Sequence, residues 1–280
     1  MLCQIKLNIL IIDKNIHKKN SYNVMKNIQL YGLFRTGTNY ITKLIEDNYL
    51  AKIYSEGNEF GLNDRGFCTN WKHGPYVGHM LKEEYPMVIV AKNPYSWLVS
   101  CYKYWRKFPL GPDLSNFSFS KFVKASPCYL EGTATVPFMF RAKNIMQYYW
   151  NSYYNWTSIR STKFFLLQYE AILENPEGSL NKMADFLSLE RRDGDFKNTK
   201  KNVLWNIKED DGKHRIRNSS IVKEIKEKDF DLDYYTNKKY LDEYNDDLLK
   251  YIENEWDHNL AYQIGYELEP YMCFEKLELN

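Results

Sequence analysis

Residues 31–46 read YGLFRTGTNYITKLIE, and the rest of the chain is interpreted outward from them. The apolar residues over 28–34 predict a strand. Arg35, Thr36 and Gly37 predict a short loop, and Tyr40, Ile41, Leu44 and Ile45 then recur at helical spacing. A strand, a tight glycine-bearing loop and a helix start make an anion cradle. The first backbone N–H groups of the helix have no internal partner, and the helix dipole favours negative charge there. Gly32 and Gly37 stand five apart, as in the phosphate-binding pattern G-x-x-x-x-G-K-[ST], but Thr38 and Asn39 follow Gly37 where that pattern has Lys. The cation sits inside the loop instead, as Arg35. Without the loop Lys, and without a metal-binding Asp evident downstream, an ATP- or GTP-hydrolysing reading weakens. A phosphate-like group that needs no magnesium still suits the loop. For this stretch alone, an ordinary strand–turn–helix whose glycines only make the turn is the alternative.

Downstream, residues 85–91, YPMVIVA, form a continuous apolar run with β-branched members, as expected of a buried parallel strand. Lys92 follows at its carboxyl end. Asn93 is a good N-cap and Pro94 suits the first helical position, so a helix is expected with Ser96 and Ser100 four apart on one face. A cation at the strand end and a hydroxyl on the helix could grip one anion. A plain helix cap beside a snorkelling lysine is the other reading of these residues. Between the two strands, residues 67–74, FCTNWKHG, predict a short strand ending in a turn at Gly74-Pro75. His73 stands at its end, where open α/β sheets present functional groups. It is a candidate proton acceptor, although a lone His is more often structural.

Residues 106–136 look like an insertion over the sheet edge rather than core, and 138–156 show helical apolar spacing. Residues 163–168, KFFLLQ, predict another buried strand ending at Tyr169-Glu170. Asn175 and Pro176 then cap a helix with Leu180, Met183, Phe186 and Leu187 on its apolar face. Residues 190–240 are strongly charged, and Lys213, His214, Arg215 and Arg217, with Ser219 and Ser220, form the densest basic patch. Such a run is usually a solvated face, but a compact one can close over a phosphate. A helix over 248–266 closes the fold. The order of elements implies an α/β fold, a parallel sheet with helices on both sides. A single domain is expected over 27–270, with an N-terminal extension over 1–26 and a tail over 271–280. Met25, just before the first strand, is an expected alternative start.

The 280 residues are 44% hydrophobic, enough for one sizeable core. With 38 basic and 36 acidic residues the net charge is +2, so nothing calls for nucleic acid and any anion site must be local. Cys3, Cys68, Cys101, Cys128 and Cys273 are scattered with no metal-ligand spacing; reduced thiols in a cytoplasmic protein are expected. No apolar run reaches the roughly 20 residues of a membrane span, and residues 8–12, NILII, are too short for a signal peptide. The sequons at Asn116, Asn155 and Asn218 are read as accidental. The abundance of Tyr, Lys, Asn and Ile fits an AT-rich coding genome as well as it fits a sugar-binding surface.

Taken together, these motifs resemble those of sulfotransferases that use 3′-phosphoadenosine-5′-phosphosulfate (PAPS). The family's 5′-phosphosulfate loop has the form P-[KR]-[ST]-G-T-[TS]-[WY]; here it is LFRTGTNY, with Phe34 for Pro and Asn39 for the second Thr. Its 3′-phosphate motif is a strand, then R-[ND]-P, then Ser eight residues after the Arg; here it is VIVAKNPYSWLVS, with Lys92 for Arg and Ser100 in register. A K-[TS]-H segment precedes that strand in many members, and WKHG stands in its place. A strand ending in Tyr-Glu before a helix with a D-F-L end matches LLQYEAILENP and ADFLSL. The similarity runs from Asn27 to Leu189, with a weaker echo in the C-terminal helix.

The resemblance implies a sulfotransferase fold related to P-loop nucleotide-binding proteins. It implies transfer of a sulfuryl group from PAPS, leaving 3′-phosphoadenosine-5′-phosphate (PAP), to a hydroxyl or amine of a carbohydrate or small metabolite. Arg35, Thr36, Gly37, Thr38, Asn39 and Tyr40 would hold the 5′-phosphosulfate, with Arg35 stabilising charge. Lys92 and Ser100 would hold the 3′-phosphate, Tyr169 would touch the nucleotide, and His73 would be the general base. No metal, nucleic acid or membrane partner is expected. Two departures stand out: Lys92 offers a point charge where Arg offers a fork, and the family's late basic-glycine loop is not evident. Arg215 and Arg217 are the candidates for its role. A magnesium-dependent P-loop kinase of a nucleotide or small molecule is the first alternative, and a non-enzymatic nucleotide- or glycan-binding relative is the second. The acceptor and the oligomeric state stay open.

Overall fold

A computed structural model of the chain describes residues 25–54, 73–74, 85–106, 116–127, 142–159, 163–198 and 231–269. Its centre is a parallel sheet in the order β2-β1-β3-β4, made of β1 (Lys26–Gly32), β2 (Ala51–Ile53), β3 (Met87–Ala91) and β4 (Phe164–Gln168). Register is fixed by pairs such as Leu30 with Val88, Ile89 with Leu166, and Lys26 with Ala51. All five residues of β3 are fully buried, as a central parallel strand covered on both faces must be. β2 is only three residues long and carries no periodic signal; pairing with β1 alone makes it a strand.

Side chains alternate across the sheet and so divide the core into two layers. On one face Ile28, Leu30, Val88, Val90 and Leu167 pack against α1 (Thr38–Asn48), α5 (Tyr169–Glu174) and α6 (Pro176–Leu187). On the other, Tyr31, Leu33, Met87, Ile89 and Ala91 pack against α2 (Pro94–Trp105), α3 (Phe119–Lys124), α4 (Ile145–Thr157), α8 (Asp246–Asn254) and α9 (His258–Ile264). The helix after β1 thus lies on one face and the helix after β3 on the other. The chain leaves these adjacent strands in opposite directions, which opens a crevice at their carboxyl ends.

Several details differ from the sequence expectations. β1 ends two residues before the expected 34, because Leu33 and Phe34 already belong to the loop. The segment around 119 is not mere cover: Ser118 caps α3, and Phe122 and Val123 are buried in the core. Phe186, assigned to the apolar face of α6, is 43% exposed, because Leu180, Met183, Ala184 and Leu187 already form the buried stripe. The single helix expected over 248–266 is two, because the Asp257 side chain accepts from Leu260 N–H and starts a new helix. Among the described residues no helix is long and apolar enough to cross a membrane.

Candidate active site

The loop after β1 is held from inside. Leu33 carbonyl accepts both the Thr36 N–H, at 3.2 Å, and the Thr36 hydroxyl, at 2.7 Å. Phe34 carbonyl accepts the Trp97 indole N–H at 2.7 Å, and Arg35 carbonyl accepts from Lys92 Nζ at 3.4 Å. Gly37 carbonyl accepts Ile41 N–H as the first bond of α1. In a trans peptide the C=O and the following N–H point opposite ways, so the Arg35 and Thr38 N–H groups are turned away from these inner partners. Arg35 and Gly37 have φ of 69° and 79° while Thr36 between them does not. With the Thr36 N–H spent on Leu33 carbonyl, the Arg35 and Thr38 N–H groups are the ones an anion would meet.

Two glycines are needed for close approach. A Cβ on Gly32 would lie 2.7 Å from Thr36 Oγ1 and 2.9 Å from Thr38 Cγ2. A Cβ on Gly37 would collide with the ring of Tyr169, which lies directly against the loop.

Lys92 stands where the sequence put it, at the end of β3, and is only 2% exposed. Besides Arg35 carbonyl it donates to the Tyr235 hydroxyl at 3.1 Å, and its ammonium lies 4.8 Å and 5.1 Å from the ring centres of Tyr169 and Tyr235. Among the described residues no carboxylate forms an ion pair with it. Its main chain is fixed by hydroxyls: Tyr149 donates to Lys92 carbonyl at 2.7 Å, Tyr153 to Val90 carbonyl at 2.9 Å, and Tyr266 sits 3.0 Å from Ala91 carbonyl.

Asn93 caps α2 as expected, accepting Tyr95 N–H at 2.9 Å. Ser96, however, is taken by Glu170, whose carboxylate also accepts Asn93 N–H at 3.2 Å and meets the Tyr266 hydroxyl at 2.7 Å. Glu170 therefore fills the N-terminus of α2, and Ser100, half-buried one turn further on, is the hydroxyl of that face not so engaged.

His73 is buried, with Nδ1 2.5 Å from Gly32 carbonyl. A carbonyl only accepts, so Nδ1 carries the hydrogen, and in the neutral ring the lone pair is on Nε2. Phe34 stacks on the imidazole at 4.2 Å, and the next residue, Gly74, accepts the Trp156 indole N–H at 2.9 Å. The base candidate and the anion loop are thus bolted to each other through Gly32 and Phe34.

Arg35 is exposed, its guanidinium 4.7 Å from the Tyr104 ring centre. Burial, with Tyr235 alongside, pushes the Tyr169 phenol well above its ordinary range, against a downward pull from Arg35. Burial likewise pushes the Cys101 thiol up to about 12 despite nearby Arg35 and Lys92, which keeps it protonated and inert.

Not every expected contact is formed. Thr36 is fully buried with both its N–H and hydroxyl spent on Leu33, so it braces the loop rather than facing a ligand. Tyr40 turns its hydroxyl to Asn198, 3.0 Å away, and its ring into the α1 core layer, which leaves only its main chain near the loop. Arg215 and Arg217 lie outside the described residues. Two side chains that the sequence reading does not select, Tyr235 and Glu170, border this cluster. Glu170 had a signal in its position directly after Tyr169 at a strand end; Tyr235, in a charged stretch without periodicity, had none.

A family model described as the sulfotransferase domain matches residues 72–253. The chain belongs to the sulfotransferase family. That span includes His73, Lys92, Ser100, Tyr169 and Tyr235, and begins after the Arg35 loop. Among solved structures this family member is similar to the mouse sulfotransferase SULT7A1 complexed with PAP. The identity is 15%, the TM-score is 0.45, and 82% of this chain and 83% of that one are covered. No curated protein matches in sequence. The parallel sheet flanked by helices is the sulfotransferase fold, and membership favours sulfuryl transfer over the kinase alternative.

Proposed function

We propose that this sulfotransferase takes its sulfuryl group from PAPS and delivers it to a hydroxyl or amine of a carbohydrate or small hydroxylated metabolite. The observation that carries this reading is Lys92. An ammonium buried to 2% exposure, whose partners among the described residues are a carbonyl, a phenol and two ring faces, is costly by several kcal/mol unless an anion joins it. It lies beside a loop whose Arg35 and Thr38 N–H groups turn outward, so the chain offers two anion subsites in one crevice, as a donor with phosphate at both ends of its ribose requires. The donor supplies a sulfate–phosphate anhydride whose bridging S–O bond breaks as the acceptor bonds to sulfur.

Each residue then has a task. The Arg35 and Thr38 N–H groups and the Arg35 guanidinium bind the 5′ end and stabilise negative charge on the departing oxygen. Gly37 and Asn39 continue that cradle at the start of α1. Lys92 and Ser100 bind the 3′-phosphate, with Arg215 and Arg217 as further candidates. Tyr169 positions the nucleotide against Gly37. His73 accepts the acceptor's proton at Nε2, with the tautomer set by Gly32 carbonyl. Holding the reactants in line and the base beside them does most of the work expected in group transfer of this kind.

Calorimetric titration tests the donor assignment. PAP is expected to bind without metal and at least about tenfold more tightly than AMP, since one charged subsite is worth roughly 1.4 kcal/mol or more. Equal affinity for PAP and AMP, or binding of ATP only with Mg²⁺, would overturn it.

A further inference from the structure

We propose that Tyr235 belongs to the donor site and reads the nucleotide's 3′-phosphate together with Lys92; this rests on the donor assignment above. Tyr235 lies on α7 (Leu232–Thr236), 143 residues beyond Lys92 in the chain. α7 carries Asp233 and is capped by Asp231, yet neither pairs with the buried ammonium. Asp231 accepts Tyr234 N–H at 3.0 Å as the helix cap, and Asp233 pairs with Lys239. What α7 brings to Lys92 is a phenol, with its oxygen 3.1 Å from Nζ and its ring centre 5.1 Å away.

The hydrogen-bond count at that oxygen points outward. Lys92 can only donate, so Tyr235 accepts from it. The rings of Tyr169 and Tyr235 stand edge-to-face at 5.5 Å beside it. Accepting from Lys92 leaves the phenol its own hydrogen to donate to an acceptor. Lys92, with three hydrogens, has spent two on Arg35 carbonyl and Tyr235. One N–H and one O–H side by side, both seeking acceptors and with no carboxylate paired to the cation among the described residues, suit two oxygens of a phosphate. The half-buried position of Tyr235 at the rim lets it meet a ligand that the deeper Lys92 reaches from behind. The phenol thereby supplies the second donor that the change from Arg to Lys removed.

The test is calorimetric titration of the full chain and its Tyr235→Phe variant with PAP and with AMP. The substitution keeps the ring, so packing on Tyr169 and the cation–π contact persist. PAP affinity is expected to fall about tenfold in the variant, and AMP affinity to change less than about twofold, because only a bond to the 3′-phosphate is lost. Equal losses for both nucleotides, or no loss, would overturn the role of Tyr235. So would tighter PAP binding, which would mean that the hydroxyl competes with the phosphate for Lys92. If the unaltered protein does not prefer PAP to AMP, the donor assignment fails and this inference falls with it; failure in the variant alone leaves the donor assignment standing.

Discussion

Replacing Gly37 with Ala asks one methyl group to enter the contact on which the site is built. Two costs are separable. Gly37 has φ of 79°, a left-handed conformation that costs an L-residue roughly 1–2 kcal/mol. The new Cβ would also lie 2.3 Å from Tyr169 Cε2 and 2.6 Å from Cδ2, and Tyr169 is buried, with Lys92 and Tyr235 against it. Forcing a group into such packing costs about 1–3 kcal/mol more. The total is about 2–5 kcal/mol. Gly194 supplies the control: its φ is 97° and nothing lies within 4 Å of its would-be Cβ, so Gly194→Ala meets only the backbone cost, about 1–2 kcal/mol. Urea unfolding of both variants measures the difference. Adding Tyr169→Ala closes a double-mutant cycle, in which Gly37→Ala should fall to the cost of the Gly194 control once the ring is gone. If Gly37→Ala is no worse than Gly194→Ala, or if its cost survives removal of Tyr169, the ring does not rest on the loop and the reasoning is wrong.

Three further outcomes are expected. His73→Ala should lower kcat by at least about 100-fold while PAP binding stays near that of the unaltered protein, the signature of a lost base; near-normal turnover would remove His73 from the chemistry. Glu170→Ala leaves Asn93 N–H, Ser96 Oγ and Tyr266 OH without their carboxylate and should cost about 2–4 kcal/mol in urea unfolding; a loss under about 1 kcal/mol would show that water replaces it. Stability should also fall above about pH 10, because burial raises Tyr149, Tyr153, Tyr244 and Tyr266 above their unfolded values. In that window the folded state holds more protons than the unfolded one. The stabilisation is complete below the unfolded pKa and is lost as pH rises, by up to about 1.4 kcal/mol per pH unit for each group. A melting temperature that does not move between pH 9 and 11 would contradict this.

The sequence by itself determined the parallel α/β order, the strand read over 85–91 and found at Met87–Ala91, the Asn93 and Asn175 caps and the loop at 35–37. Each of these is written in residues adjacent in the chain: an unbroken β-branched run, an amide before Pro, a glycine before a helical stripe. It also placed Lys92 and Tyr169 at strand ends, because in a parallel sheet those ends face one side; the strand expected before His73, over 67–72, lies outside the described residues. Which partners these residues take was decided only in three dimensions. His73 meets Gly32 carbonyl across 41 positions, and Lys92 meets Tyr235 across 143; such pairs depend on sheet register and on where the last helices fold back. The same holds for the inward turn of Thr36, which follows from the reversed hand of Arg35, and for Tyr40, which the helical period carries to the core side of α1 and to Asn198. Local patterns fix the backbone because its hydrogen bonds are local. The choice of partner for a buried side chain is a packing outcome, set by whichever distant atoms fill the same space.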